Sequence, residues 1–229
     1  ITLIFIISLN SISNLGKLEC KNIQVNVDTV GDLFFIDTDM VKELIIENND
    51  YIISRPFEDI NTYLLEEFIN NHPNIKKAEL YLTIDGNFCI DVKQRQPIVR
   101  VFQENDSYYL DDEIMKFTLS EKYTARVLHV YWSEITEERR KILATIIEYI
   151  EKDQFLKAQI TAIEFDGVDE LILYPRVGDY KIILGDSYDL VNKFERLKLF
   201  CLNGLEKVGR DRYSHINLKF DNQVVCTKK

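Results

Sequence analysis

The chain has 229 residues, of which 46% are hydrophobic, and its formal net charge is −10. This hydrophobic fraction excludes a disordered tail, because it is large enough to build a packed core. The acidic charge argues against nucleic acid as a partner, because a surface that binds phosphates carries positive charge.

An apolar run occupies residues 1–9. It is about half as long as the roughly 20 apolar residues that cross a bilayer. The run is compatible with the end of a membrane anchor, the remnant of a signal-peptide core, or a buried strand. Of these we expect residues 1–19 to be the end of a membrane anchor or a juxtamembrane segment.

Residues 20–95 carry the pattern of one small unit. Residues 23–27 alternate as a strand does, and Thr38 or Asp39 can cap the helix that follows. A second helix is predicted to end at His72-Pro73, since proline stops a helix. The apolar positions that share a helix face are Met40, Val41, Leu44 and Ile45 in the first helix and Ile60, Leu64, Leu65, Phe68 and Ile69 in the second.

Two alternating segments separated by a turn signal come next. The apolar residues alternate from Ala78 to Ile84, and the alternation resumes from Phe88 to Val92 after Asp85-Gly86-Asn87. The order strand, helix, helix, strand, strand predicts two helices on one face of a three-stranded sheet. Together with the strand-rich remainder, this order predicts an α+β protein.

The remainder is predicted to be a mostly antiparallel β domain with two helices. Pro97 suits the start of a strand, and short strands are predicted over 98–102 and 108–110. Thr136 is predicted to cap a helix, because glutamates fill its first turn, where negative charge is favoured. The predicted buried stripe of this helix comprises Ile142, Leu143, Ile146, Ile147 and Ile150.

Three strands, a helix and a last strand are predicted to complete this domain. The strands over 160–165, 170–174 and 180–184 form a meander, because turn residues separate them. The helix is predicted to bury Leu190, Val191, Phe194, Leu197 and Cys201. The last strand is predicted to run from His215 to Cys226, with an interruption at Asp221-Asn222, at or near a sheet edge.

The sequence predicts no catalytic, cofactor or metal site, so we expect a protein that is not an enzyme. The four cysteines, Cys20, Cys89, Cys201 and Cys226, form no Cys-x-x-Cys pair and are expected to be free thiols. The three histidines, His72, His129 and His215, have no nucleophile or carboxylate at an informative spacing. Asp111-Asp112-Glu113 lacks the spaced ligands and the glycine of a calcium loop and is expected to be a solvated turn.

Three pairs of aromatic residues are candidates for partner contacts, because aromatic side chains supply large contact areas. They are Phe34-Phe35, Tyr108-Tyr109 and Tyr131-Trp132. We expect most of these side chains to pack in the core instead.

Several segments, taken in order, resemble the FtsQ/DivIB cell-division protein family, and most of all its Bacteroidetes-type members. His72-Pro73-Asn74-Ile75 up to Ala78, and a hairpin ending in Arg95-Gln-Pro97, are similar to the end of the family's POTRA module. Tyr108-Tyr109-Leu110-Asp111 resembles the start of its β domain, and residues 181–185 and 213–225 resemble its C-terminal half. The family usually has glycine and then proline after the Tyr-x-Asp, whereas residues 112–118 supply neither.

The resemblance implies a POTRA domain over 20–97 and a β domain of FtsQ type over 98–229. It implies a non-enzymatic scaffold of the divisome, a single-pass protein of the inner membrane that lies mainly in the periplasm and acts at the division septum. Its partners would be the FtsB/FtsL pair, bound by strand addition beside the last strand. The resemblance places Phe220, Asn222 and Gln223 on the receiving strand and Lys193 and Arg196 on the preceding helix.

The residues themselves favour a compatible function, because an open terminal strand is a template for another chain. Lys219, Lys228 and Lys229 could instead blunt that edge. Two other classes stay open. One is a POTRA-containing component of outer-membrane assembly or secretion, and the other is a periplasmic hydrolase, motivated only by scattered carboxylates.

Overall fold

A computed structural model describes residues 17–28, 35–48, 52–104, 106–120, 123–133, 136–167, 170–205, 207 and 209–229. The expected anchor run over residues 1–9 and the candidate contact residue Phe34 lie outside this set. The chain divides into two units. The first comprises the described residues up to Gln96 together with Phe117–Ala125, and the second comprises Pro97–Lys116 and Arg126–Lys229.

The first unit contains the predicted order of strands and helices. Its elements are β1 (Asn22–Asp28), α1 (Thr38–Asn48), α2 (Thr62–Asn70), β2 (Ile75–Leu82) and β3 (Asn87–Gln94). The strands lie in the order β1-β3-β2, with β1 parallel and β2 antiparallel to the central β3. The hairpin prediction is confirmed, and Gly86 gives its turn a positive φ of 91°.

Both helices of this unit begin at a side-chain cap, but the first cap differs from the predicted one. The Asp37 carboxylate accepts hydrogen bonds from the N–H groups of Asp39 at 3.1 Å and Met40 at 2.9 Å. The cap is therefore neither Thr38 nor Asp39, because the helix already begins at Thr38. Asn61 caps α2 by accepting from the Leu64 N–H at 3.1 Å.

Asn74, from the His-Pro-Asn motif, ties residues 117–125 to the first unit. Its buried side chain donates to the Phe35 carbonyl at 3.1 Å and accepts from the N–H of Thr118 at 3.1 Å and from its hydroxyl at 2.7 Å. The Phe35 ring meets the rings of Phe117 and Tyr123 edge to face. Because a buried amide needs its hydrogen bonds, these contacts fix the returning segment.

The second unit is built on a long mixed sheet. Its strands are β4 (Val99–Gln103), β5 (Asp106–Leu110), β6 (Lys116–Phe117), β7 (Leu128–Tyr131), β8 (Ile160–Asp166), β9 (Glu170–Pro175), β10 (Lys181–Gly185), β11 (Tyr213–Asn217) and β12 (Val225–Lys228). They lie in the order β12-β11-β10-β9-β8-β7-β4-β5-β6. The predicted antiparallel meander is confirmed as β8-β9-β10.

Three helices belong to this unit in the described residues: α3 (Glu137–Lys152), α4 (Gln154–Gln159) and α5 (Leu190–Phe200). Thr136 caps α3 as predicted, with its hydroxyl accepting from the Arg139 N–H at 3.2 Å. The short helix α4 was not predicted, and Asp153 starts it by accepting from the N–H groups of Phe155 and Leu156. Strands β7 and β8 are parallel, as are β10 and β11, because helices carry the chain back between them.

The core of this unit lies on one face of the sheet. Inward residues of the strands, such as Val130, Ile163 and Leu173, form one buried cluster with the α3 stripe and with α5. From the predicted α3 stripe, Leu143, Ile146, Ile147 and Ile150 are buried, whereas Ile142 is partly exposed. Since side chains alternate across a strand, their neighbours stand on the opposite face.

The turn that departs from the family pattern is organised by Asp111. Its buried carboxylate accepts from the N–H groups of Glu113 at 3.0 Å and Met115 at 2.9 Å. Ile114 has a φ of 58°, the left-handed conformation that glycine adopts without strain. The Arg140 side chain donates to the Ile114 carbonyl at 3.1 Å, which helps to hold this conformation.

Candidate functional site

The last strand of the sequence is the terminal strand of the large sheet within the described residues. β12 pairs on one side with β11, antiparallel, with Asn217 opposite Val225 and His215 opposite Thr227. The predicted single strand from His215 to Cys226 is therefore wrong. The chain forms two strands joined by residues 218–224, because it reverses direction after β11.

Backbone groups of β12 point away from the sheet at two residues. The Thr227 carbonyl accepts from the Ser214 hydroxyl at 3.3 Å and the Lys229 N–H donates to the Arg212 carbonyl at 3.1 Å, so both residues face β11. Because the N–H and C=O groups of successive residues point to opposite sides, those of Cys226 and Lys228 face outward. These four groups form the open edge.

The connection 218–224 is an ordered loop rather than a strand. The Leu218 N–H donates to the Ile183 carbonyl at 2.9 Å and the Leu218 side chain is buried. Asn222 turns the chain with a φ of 58°. Phe220 stands at the tip of this loop with 46% of its surface exposed.

Arg196 holds this loop against α5. Its guanidinium donates to the carbonyls of Leu218 at 3.1 Å and Gln223 at 2.7 Å, and also to that of Phe220. A planar group with five donors can satisfy several carbonyls together. The loop therefore takes its shape from a helix residue that lies 22 to 27 positions earlier in the chain.

Helix α5 buries one side and leaves an apolar stripe on the other. Leu190, Phe194 and Leu197 belong to the core. Val191 and Leu199, together with Leu202 in the π-helical turn Cys201–Leu205 that continues α5, have between 43% and 59% of their surface exposed. The prediction that Val191 is buried is wrong, because it lies one position past the buried stripe. We call this exposed set, together with Phe220, the apolar rim.

Lys193 lies on α5 as predicted, but its ammonium group is not on the surface. The side chain is buried and donates to the Asp186 carboxylate at 2.7 Å and the Asp186 carbonyl at 3.0 Å. The hydrogen bond from Lys193 lowers the pKa of Asp186 below its usual value. Lys193 therefore fixes the entry to the helix.

The structure joins four of the five predicted partner-binding residues, because Arg196 bonds the loop that carries Phe220, Asn222 and Gln223, whereas Lys193 is bonded to Asp186. Phe220, Asn222 and Gln223 lie in the loop beside β12, and their predicted position on a strand is wrong. Lys193 and Arg196 lie on α5 as predicted, with their charged groups bonded within the chain. The sequence reasoning missed the outward amides of Cys226 and Lys228, which only the pairing of β11 with β12 identifies.

Two of the three lysines considered as guards of the edge are bonded elsewhere. Lys219 pairs with Glu170 at 2.7 Å and Lys229 pairs with Asp179 at 3.1 Å. Gly185 makes room for the first of these side chains, because a Cβ there would lie 2.5 Å from the Lys219 Cγ. Both side chains are therefore directed away from the outward groups of β12.

The described part of the chain contains no group of three or more His, Cys, Asp or Glu residues able to hold a metal ion. The four cysteines are free thiols, and burial raises the pKa of Cys201 to about 11. Burial lowers the pKa of both His72 and His129. Within the same residues, no helix has the length and apolar character needed to cross a membrane.

Comparison with known proteins gives two matches to family models. Residues 96–227 match the model described as FtsQ/DivIB, C-terminal related, and residues 18–93 match the model of a POTRA-like domain. No curated protein matches the chain. The first match covers the large sheet up to Thr227 of β12, and with it the loop and α5.

Proposed function

Because the chain belongs to the FtsQ/DivIB, C-terminal related family, we propose that it is a non-enzymatic scaffold that recruits division proteins by strand addition at β12. The two matches together support a cell-division scaffold family. Beyond family membership, the proposal concerns how and where this chain binds a partner.

The observation that carries the proposal is the open edge of β12. Cys226 and Lys228 direct their N–H and C=O groups away from β11. Unpaired groups along a strand form hydrogen bonds with an added strand, and side-chain contacts then select which strand is added.

The apolar rim supports the same site. Leu199 is one helical turn from Arg196, which bonds the loop that carries Phe220, so helix and loop lie beside each other. A partner whose strand extends β12 and whose next segment covers these side chains would bury apolar surface. Hydrogen bonds to the open edge orient the added strand, and burial of the apolar rim contributes favourable binding free energy.

The partner and the cellular location that we propose are those of the family. The partner is the FtsB/FtsL pair, and the chain is held in the inner membrane by an N-terminal anchor. The two units lie in the periplasm at the division septum, with the POTRA sheet and helices as a further contact surface.

The experiment that tests the binding edge replaces Lys228 by proline. Proline removes the outward N–H and its ring obstructs a neighbouring strand, while the bonds of Thr227 and Lys229 with β11 stay possible. Co-purification of the tagged chain with the FtsB/FtsL pair is expected to be lost for Lys228→Pro. Lys228→Ala is the matched control, because it removes the same side chain and keeps the N–H.

Two outcomes would contradict the site. One is full binding by Lys228→Pro, and the other is equal loss for both variants with an unchanged circular dichroism spectrum. Phe220→Ala tests the loop in the same assay and is expected to weaken binding. Proline at Asn222 is not a suitable test, because a φ of 58° is incompatible with proline and the loop itself would change.

A further inference from the structure

The face of the large sheet opposite its helices carries a row of side chains from four neighbouring strands. Ser107, Phe102, Tyr131 and Glu164 stand opposite one another in β5, β4, β7 and β8. Their strand neighbours Val101, Val130 and Ile163 belong to the core, so this row is on the other face. At about 4.8 Å per strand, Tyr131 lies roughly 24 Å from β12.

An aromatic pair lies at the centre of this row. The rings of Phe102 and Tyr131 are stacked with their centroids 5.2 Å apart and their planes at 19°. The Arg100 guanidinium lies 4.9 Å from the centroid of Phe102. Tyr131 keeps 41% of its surface exposed, while Tyr108, Tyr109 and Trp132 are buried. Among the aromatic contact candidates that the structure describes, Tyr131 is thus the exposed one.

Two clefts flank this pair, and both are acidic. The first, about 440 Å³, is lined by Glu104 and Asp106 as well as by the two rings. The second, about 300 Å³, is lined by Glu104, Glu164 and Asp166 with the same rings. Among the described residues, no lysine, arginine or histidine lines either cleft.

Part of this negative charge is already paired, and part faces solvent. Asp106 bonds Lys116 at 2.7 Å, and Glu164 accepts from the Tyr174 hydroxyl and lies 4.0 Å from Lys181. Glu104 and Asp166 are exposed. Both follow the row by two residues toward the carboxyl ends of the parallel strands β4 and β8, so this exposed negative charge lies on one side of the aromatic pair.

We propose that this face binds a partner segment that carries arginine or lysine in an extended conformation. A guanidinium or ammonium group over the exposed face of Tyr131 gains a cation–π contact, and a second basic residue of the segment reaches Glu104 and Asp166, which line one cleft beside this ring. The existing stack of Arg100 on Phe102 shows the same contact within the chain. This surface is separate from the β12 edge and does not depend on it.

The probe is an acetylated and amidated peptide of four Arg-Ser repeats, added to the complete chain labelled with ¹⁵N. The comparison peptide has citrulline in place of arginine, which keeps the shape and removes the charge. We expect amide shifts concentrated at Phe102, Tyr131 and Asp166 with the arginine peptide, weakening as salt is raised. The citrulline peptide is expected to bind at least tenfold more weakly.

Matched variants separate this face from the general acidity of the chain. Tyr131→Leu is expected to raise the Kd about two- to fivefold, the range of an exposed cation–π contact. The double variant Glu104→Gln, Asp166→Asn is expected to raise it at least about threefold. The controls are Tyr188→Leu, at an exposed tyrosine elsewhere, and the double variant Glu195→Gln, Asp221→Asn, which removes the same charge near the β12 edge.

Results of three kinds would overturn the proposal: equal binding of the two peptides, equal effects of the site and control variants, or shifts spread over the whole acidic surface. Binding of the FtsB/FtsL pair by the same variants distinguishes this proposal from the one for the β12 edge. The Tyr131 and Glu104 variants are expected to retain that binding.

Discussion

Replacing Arg196 by methionine tests whether the helix shapes the loop beside the binding edge. Methionine keeps most of the aliphatic length of the side chain and removes every donor. The change leaves the carbonyls of Leu218, Phe220 and Gln223 without the guanidinium. We expect the loop to open more often while the large sheet stays folded.

The size of the effect follows from where the three carbonyls lie. Phe220 and Gln223 are exposed, so water replaces the lost bonds and each contributes roughly 0.5 kcal/mol. The bond to Leu218 is partly buried and contributes about 1 kcal/mol. The sum of about 2 kcal/mol corresponds to an opening equilibrium roughly 30-fold larger, since about 1.4 kcal/mol is a factor of ten.

Native-state hydrogen exchange measures this opening directly. The Leu218 N–H, bonded to the Ile183 carbonyl at 2.9 Å, is expected to exchange roughly 30-fold faster in Arg196→Met, while amides in α3 keep their rates. In Arg196→Lys this exchange rate is expected to lie between those of the unchanged chain and Arg196→Met, because an ammonium group can hold one carbonyl at a time. Arg126→Met, at an exposed arginine of the same unit, is the control. Unchanged exchange at Leu218 would refute the idea that Arg196 holds the loop.

Two further predictions concern stability. Thr136→Ala removes the α3 cap and should lower the free energy of unfolding by about 1 kcal/mol in urea titration, whereas Thr136→Ser should keep it. Lys198 and two backbone N–H groups lower the pKa of Asp153, so its contribution is present above the ordinary aspartate pKa of about 3.9 and is lost as the pH falls through the lowered value. Unfolding midpoints measured from pH 7 to pH 2 should therefore fall less steeply for Asp153→Asn, and an identical pH profile would contradict this assignment.

The secondary structure of the first unit up to Gln94 was predictable because its signals are local, whereas the returning segment Phe117–Ala125 was not predicted. The alternation on both sides of Asp85-Gly86-Asn87 predicts the β2–β3 hairpin, and the structure has the turn there with Gly86 at positive φ. The apolar spacing of both helices predicts their buried faces in part: Val41, Ile45, Leu65 and Ile69 lie in the core, whereas Leu64 and Phe68 are exposed. The end of α2 follows from Pro73, which stops a helix.

The last strand shows where the sequence pattern misleads. Ile216, Leu218 and Phe220 continue a period of two, so the pattern alone favours one strand across the loop. The turn signal was present, since Asp221-Asn222 favours a reversal and Asn222 adopts the left-handed conformation. Arg196 could not be identified as the residue that fixes this reversal, because its contacts join parts of the chain 22 to 27 residues apart.

The shortness of β12 explains why a partner needs both the open edge and the apolar rim. β12 offers four outward groups, and hydrogen bonds at about 0.5–1.5 kcal/mol each supply at most about 6 kcal/mol. Association itself costs at least about 4 kcal/mol, and a micromolar Kd requires a net free energy of about −8 kcal/mol. Strand addition alone therefore leaves a shortfall of roughly 6 kcal/mol. The four side chains of the apolar rim are already about half buried, so covering them contributes about half of the 1.5–3 kcal/mol of a fully exposed side chain. Together they supply up to roughly 6 kcal/mol, so nearly the whole rim must be covered to close the shortfall. A partner that extends β12 must consequently also reach α5, because the edge by itself is too short to hold it.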